Sequence, residues 1–226
     1  MTLQAAPWPA PSVLLLVSAA VIGLMAGWWV RRAVGCYRPP ATDSAGAAVT
    51  VRVPPLVLEF VTAALFLVLA WRFGLSWHLP AYLFFAAIGV ELSAIDLRHR
   101  LLPNPILLRA VVLGSVLLIA AAAAEGQFAS LLRAVLGAVL LFVLYLVLAI
   151  INPRGLGMGD VKLAAPLGLF LAFHGWRALA EGAFLGFLIG AAAGLVLLAS
   201  RRGSRKSAIP FGPSMFVGAI VALLWT

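Results

Sequence analysis

Acidic side chains are scarce: seven Asp and Glu occur in 226 residues, and charged residues of both signs make up only 10% of the chain. Soluble domains carry about 25% charged and about 45–50% apolar residues. The 64% apolar content found here excludes a water-soluble fold and makes the bilayer the solvent. A single cysteine, Cys36, excludes an internal disulfide, a CxxC pair and a cysteine zinc site. The three histidines, His78, His99 and His174, fall at separate predicted loops and helix ends, so no metal site is expected. Long polar stretches are also missing. The longest, 31–54, is too short to build a core. The formal net charge of +9 would suggest nucleic acid in a soluble domain. In a membrane chain it reports topology, and no nucleic-acid partner is expected.

What is present is a series of apolar runs. A spanning helix needs about 20 apolar residues. Segments 12–30, 55–73, 79–97, 105–124, 130–151, 176–200 and 209–226 meet this length or come near it. An eighth, 161–175, is apolar but short, and reads either as a short crossing or as a re-entrant segment. The predicted fold class is therefore all-α: a polytopic membrane bundle of about eight helices, one of them short, forming a single domain over 1–226. Arg31 and Arg32 follow the first apolar run rather than precede it, the reverse of a secretory signal. With eight crossings, loops 31–54, 98–104, 152–162 and 201–208 share one face with 12 or 13 basic residues, against 3 (Arg72, Arg133, Arg177) on the other. The basic face is predicted to be cytoplasmic, with both termini outside. The same asymmetry favours 161–175 as a true crossing.

The seven acids are then read by position. Asp43 and Glu125 fall in predicted loops as solvated charges, and Glu181 near an outer helix end pairs with Arg177 or faces water. Glu59 and Glu91 lie within predicted spans. Ionisable groups there are costly and default to functional hypotheses, although a structural hydrogen bond between helices is the plainer reading for both. Asp96 and Asp160 stand 64 residues apart at the junctions of the third and sixth segments. Two crossings separate them, so topology returns both to the cytoplasmic boundary. If they approach, two carboxylates in a poor dielectric share one proton. The ionised acid then activates a water and the protonated one donates to a carbonyl. For Asp160 alone the bland reading is an N-cap, with Gly155, Gly157 and Gly159 making a flexible approach that admits positive φ and close backbone contact. For Asp96 alone it is a helix-end charge beside Arg98 or Arg100. Gly182, Gly186, Gly190 and Gly194 recur every four residues and predict close helix packing inside the bundle. Nothing in the sequence fixes an oligomeric state.

At the two aspartates the chain resembles the type IV prepilin peptidases, GxGD membrane aspartyl proteases. Gly157-Met158-Gly159-Asp160 matches the GxGD motif, and Val161-Lys162-Leu163 continues it. Asp96, followed by Leu102-Pro103-Asn104, matches the first catalytic region, and Ile209-Pro210-Phe211-Gly212-Pro213 matches the signature opening the last helix. The resemblance implies cleavage of prepilin or pseudopilin leaders at the cytoplasmic membrane face, with Asp96 and Asp160 catalytic. Gly157, Gly159, Lys162, Glu59 and Glu91 are supporting candidates, Glu59 because it matches an acidic position of the family. Many relatives insert paired CxxC motifs after the first helix and methylate the product. Residues 31–54 hold no such pairs, so neither zinc nor any other cofactor is expected, and methylation is left outside the expectation. A presenilin-type protease ranks below, because Ile95 precedes Asp96 where a Tyr-Asp pair is expected. The rival from another class is a small proton-coupled transporter using Glu59, Glu91 and the aspartates as a relay.

Overall fold

The computed structural model describes residues 12–38, 54, 56–153, 156–199 and 210–226. Asp43, Gly155, Ile209 and the basic loops 39–53 and 201–208 lie outside the described residues. Among the described residues there are eight helices and no strand: α1 (Val13–Cys36), α2 (Val57–Phe73), α3 (Leu79–His99), α4 (Asn104–Glu125), α5 (Phe128–Ile151), α6 (Met158–His174), α7 (Trp176–Ala199) and α8 (Gly212–Trp225). Helices α1, α3, α4, α5 and α7 are long and apolar enough to cross a membrane. The chain is a multi-pass membrane protein. Where the sequence reading singles out one short segment, α2 and α6 have 17 residues each and α8 has 14. At about 1.5 Å per residue, α8 covers about 21 Å of a hydrocarbon core about 30 Å thick. It is short because its first helical residue is Gly212, with Pro210 and Phe211 left outside the helix.

The helices run alternately up and down. At one face Tyr37 at the end of α1 meets the ring of His99 at the end of α3, and Lys162 of α6 reaches Asn104 of α4. At the other face Arg72, His78, Gln127, Arg133, His174 and Thr226 gather around a cavity of about 420 Å³. The ends of α6 lie at opposite faces, so 161–174 belongs to one unbroken helix that runs from one end of the bundle to the other. α3 is the most enclosed of the long spans, while α1, α5 and α7 are largely uncovered by protein. Their outward Val, Leu and Ile faces suit lipid.

Pairs α1–α2, α5–α6 and α7–α8 pack most intimately, and small residues permit it. Gly182 rests against Leu171 and Ala219, Gly186 against Met215, and Gly190 against the Phe211 ring. Gly182, Gly186 and Gly190 of the stripe therefore serve contacts inside the bundle. Glu181 pairs with Arg177 at 2.6 Å, as one reading of the sequence held. Glu125 departs from the solvated loop charge expected of it. It is the last residue of α4 and lies 2.9 Å from His78 Nε2, partly shielded by the neighbouring helix ends.

The C-terminal end of α6 shows how the bundle meets the polar demand of a helix end. Its last carbonyls have no partner within the helix, and in lipid an unpaired carbonyl costs several kcal/mol. Arg133 of α5 supplies the missing donors. It donates to the carbonyls of Ala172 at 2.5 Å, Phe173 at 2.6 Å and His174 at 3.4 Å, and to Ser130 Oγ at 3.1 Å. Arg133→Ala is expected to destabilise the bundle by about 2–4 kcal/mol, because charged hydrogen bonds are lost and acceptors are stranded. Arg133→Lys recovers only part of this, since an ammonium lacks the planar fork. Unfolding by SDS titration in mixed micelles measures both variants, and unchanged stability in Arg133→Ala would refute this capping role.

Candidate active site

Asp96 occupies the last turn of α3, where its carbonyl accepts from Arg100 N at 2.8 Å. Arg100 closes the helix in the left-handed region at φ 52, a conformation that costs a non-glycine residue about 1–2 kcal/mol. The chain then turns through Leu101-Leu102-Pro103 into α4. The Asp96 side chain is buried, and its Oδ2 accepts from the Gly212 backbone N–H at 3.1 Å. That N–H belongs to the first turn of α8. Helix N-terminal amides are free to bind an acceptor, and the helix dipole favours a negative one there. Pro213 behind Gly212 lacks an N–H of its own and suits the first turn.

Asp160 stands three residues into α6. The sequence reading offers it as an N-cap; instead Gly157 takes that place, and Asp160 is the N3 residue that reaches back, its Oδ2 accepting from Gly157 N at 3.2 Å. This is the returning half of a capping box. Gly157 sits at φ −79, so the left-handed freedom expected of this glycine is not what it supplies. Gly159 supplies room: a Cβ there would lie 3.2 Å from Leu102 Cβ. The turn after α3 is thereby seated on the first turn of α6. Lys162 Nζ fastens the same junction by donating to Asn104 Oδ1 at 2.9 Å.

These contacts bring Asp96 and Asp160 within electrostatic reach of each other. Gly212 is pressed against the first of them: a Cβ on it would fall 2.8 Å from Asp96 Oδ2 and 3.5 Å from Leu163 Cδ2 of α6. Behind Asp160, and within reach of its charge, is Tyr145, fully buried and stacked on Phe187, with the Phe211 ring beside both. The arrangement provides two acids on different helices, each oriented by one backbone N–H, at one end of the bundle. It is the equipment for general acid–base attack on a carbonyl by water.

Of the residues singled out from sequence, Asp96, Asp160, Gly157, Gly159 and Lys162 come together. Glu59 does not join them. It is buried in the first turn of α2, 2.6 Å from Arg31 Nε, an ion pair without hydrogen-bond alignment that ties α1 to α2. Glu91 lies on α3 but lines a separate cavity on the other side of the 101–105 turn. The residues that sequence reasoning missed are Gly212 as a donor, Asn104 as the partner of Lys162, and Tyr145. The proline-glycine signature marked the segment of Gly212 but gave it no role.

Gly212→Ala is expected to separate geometry from stability. The atom nearest the new methyl is the end of the Asp96 side chain, which moves at little cost to the fold. Misplacing a reacting group by about 1 Å costs on the order of 10²-fold in rate. The expected outcome is a loss of about 10² in activity with stability changed by less than about 1 kcal/mol. Full activity in a well-folded variant would show that Gly212 does not hold Asp96.

Residues 83–199 match the type IV leader peptidase family. The chain is 36% identical to the prepilin leader peptidase/N-methyltransferase of Pseudomonas aeruginosa over 188 residues, 81% of this chain and 61% of that protein. Against the protein of that name from Aeromonas hydrophila it is 33% identical over 210 residues, 90% of this chain and 66% of the relative. Against that from Bacillus subtilis it is 33% identical over 167 residues, 74% and 64% of the two chains. The chain thus spans about three fifths of the length of the first of these relatives. No solved structure matches it significantly.

Proposed function

Because the chain belongs to the type IV leader peptidase family, we propose that it is an aspartyl endopeptidase that removes the leader from prepilin- or pseudopilin-like proteins, with Asp96 and Asp160 as its catalytic acids. The observation that carries the proposal is the convergence of these two acids, from helices far apart in sequence, at one end of the bundle. One acid, ionised, takes a proton from a water whose oxygen attacks the scissile carbonyl carbon. The other, protonated, donates to the carbonyl oxygen. As the tetrahedral intermediate collapses the C–N bond breaks, and the leaving amine takes up the proton held by the first acid. The gem-diol hydroxyl returns its proton to the second acid, which restores the starting pair.

The aspartates' face carries Arg31, Arg32, Arg38, Arg98, Arg100 and Lys162, and the opposite face Arg72, Arg133 and Arg177. This charge bias supports a cytoplasmic position for the aspartates in the inner membrane, with both termini outside. The whole chain acts in this reading as one membrane-embedded peptidase domain. The second activity in the relatives' names stays with them. The relay alternative draws no support, since Glu59 is engaged by Arg31 and Glu91 faces a cavity apart from the aspartates.

The test is co-expression with a prepilin-type substrate and gel detection of the shortened product. Leader removal that depends on the chain supports the proposal; none, with the protein inserted and folded, overturns it.

A further inference from the structure

Glu91 is 7% exposed, yet among the described residues it has neither a hydrogen bond nor an ion pair. Unlike the oxygens of Glu59, those of its carboxylate are not fully enclosed by protein. Glu91 lines a cavity of about 590 Å³ bounded by the end of α1 (Trp29, Cys36, Tyr37), by α3 and by the 101–109 stretch. Cavities of roughly 300–1,000 Å³ are the size of ligand sites. The other charges on its wall, Arg38 and Arg109, are exposed. Arg109 acts on Glu91 through its field, but its Nε donates to the Pro105 carbonyl at 3.3 Å. The hydrogen-bond demand of the Glu91 carboxylate is thus left open toward the cavity.

The cavity and the aspartates share a wall. Leu102 and Asn104 line the cavity, and the same two residues touch Gly159 and Lys162 at the start of α6. Glu91 precedes Asp96 by five residues on α3, about 7.5 Å along the axis and on a different face. An extended peptide advances about 3.3 Å per residue, so roughly two to four residues carry it from the aspartates around the 101–105 turn to Glu91. A ligand entering there as part of the substrate chain fills the carboxylate's demand only if it brings a donor, and a cationic one gives the stronger bond.

We infer that Glu91 is a specificity residue: it receives a basic side chain of the substrate, two to four residues from the scissile bond. The inference rests on the peptidase reading for the nature of the ligand, and binding separates the two. The probes are fluorescein-labelled peptides spanning a leader junction. Each carries one lysine, scanned two to four residues to either side of the cleavage point, and each has a glutamine counterpart. Binding is measured to the full chain in phosphatidylcholine and phosphatidylglycerol nanodiscs, which offer no competing primary amine. At one register the lysine peptide is expected to bind at least about tenfold more tightly than its glutamine form, the size of a desolvated charge pair. Glu91→Gln is expected to bring the ratio to about one, and Glu91→Asp to retain part of it. No preference at any register in the unaltered chain, or the same preference in Glu91→Gln, overturns the inference. A preference that follows Glu91 in a protein that cleaves nothing supports the site and removes the peptidase.

Discussion

Asparagine at Asp96 or at Asp160 is expected to lower leader cleavage by at least about 10³-fold, within the range of removing an essential general acid or base. Asn matches Asp in size, and its amide oxygen still accepts from Gly212 N or Gly157 N, so the bonds that seat each side chain survive. What is lost is the capacity to take up and release a proton. In the proposed mechanism both acids serve one water and one carbonyl, so the double variant should be scarcely worse than either single one, as for groups that act as a unit. Independent contributions would multiply instead. Initial rates on a purified substrate, with equal insertion and equal resistance to SDS unfolding as controls, decide between these outcomes. Either single variant retaining more than about a tenth of the original rate would remove that residue from the catalytic pair.

The parts of this molecule legible in its sequence are those that hydropathy and charge encode along the chain. Eight helices follow from eight apolar runs, and the aspartates stand out because two crossings return both to one boundary, within motifs that resemble those of a known family. Contacts between distant segments are a different matter. The donor to Asp96 is a backbone N–H 116 residues away, and any non-proline residue has such a group, so no side-chain pattern announces it. The Lys162–Asn104 bond spans 58 residues and joins two polar residues that each read as ordinary interface polarity. Glu91 shows the limit from the other side. Its burial is evident from its apolar run, whereas the cavity it faces is made by α1 and the turn after α3 and exists only once they assemble. The short length of α8 is hidden because Pro210 and Phe211 are apolar enough to extend a hydropathy run and yet do not join the helix.

The same distinction separates the two sets of glycines. Gly182, Gly186 and Gly190 form a stripe on one helix and announce themselves by spacing, whereas Gly137 and Gly168 look like isolated small residues until α5 and α6 are placed together. A Cβ on Gly168 would lie 2.8 Å from the Gly137 carbonyl carbon and 2.9 Å from Ala138 Cα. These are backbone atoms, so no rotamer change relieves the overlap and the helices must part. In a bilayer, where lipid competes with protein for apolar surface, close backbone approach is a main source of helix association. Gly168→Val is therefore expected to cost about 3 kcal/mol or more, at the upper end of overpacking effects, and Gly168→Ala part of that. Asp160 lies eight residues earlier, about 12 Å along the same helix, so tilting α6 also displaces the acid and cleavage falls with stability. A methyl added at Gly35, near the end of α1, would meet nothing within 4 Å, and Gly35→Ala serves as the neutral or slightly stabilising control. SDS titration of the three variants in mixed micelles reads the difference. A Gly168→Val protein that unfolds at the same SDS fraction as the parent would mean that α5 and α6 do not meet through these glycines, and the route by which α6 presents Asp160 would need another support.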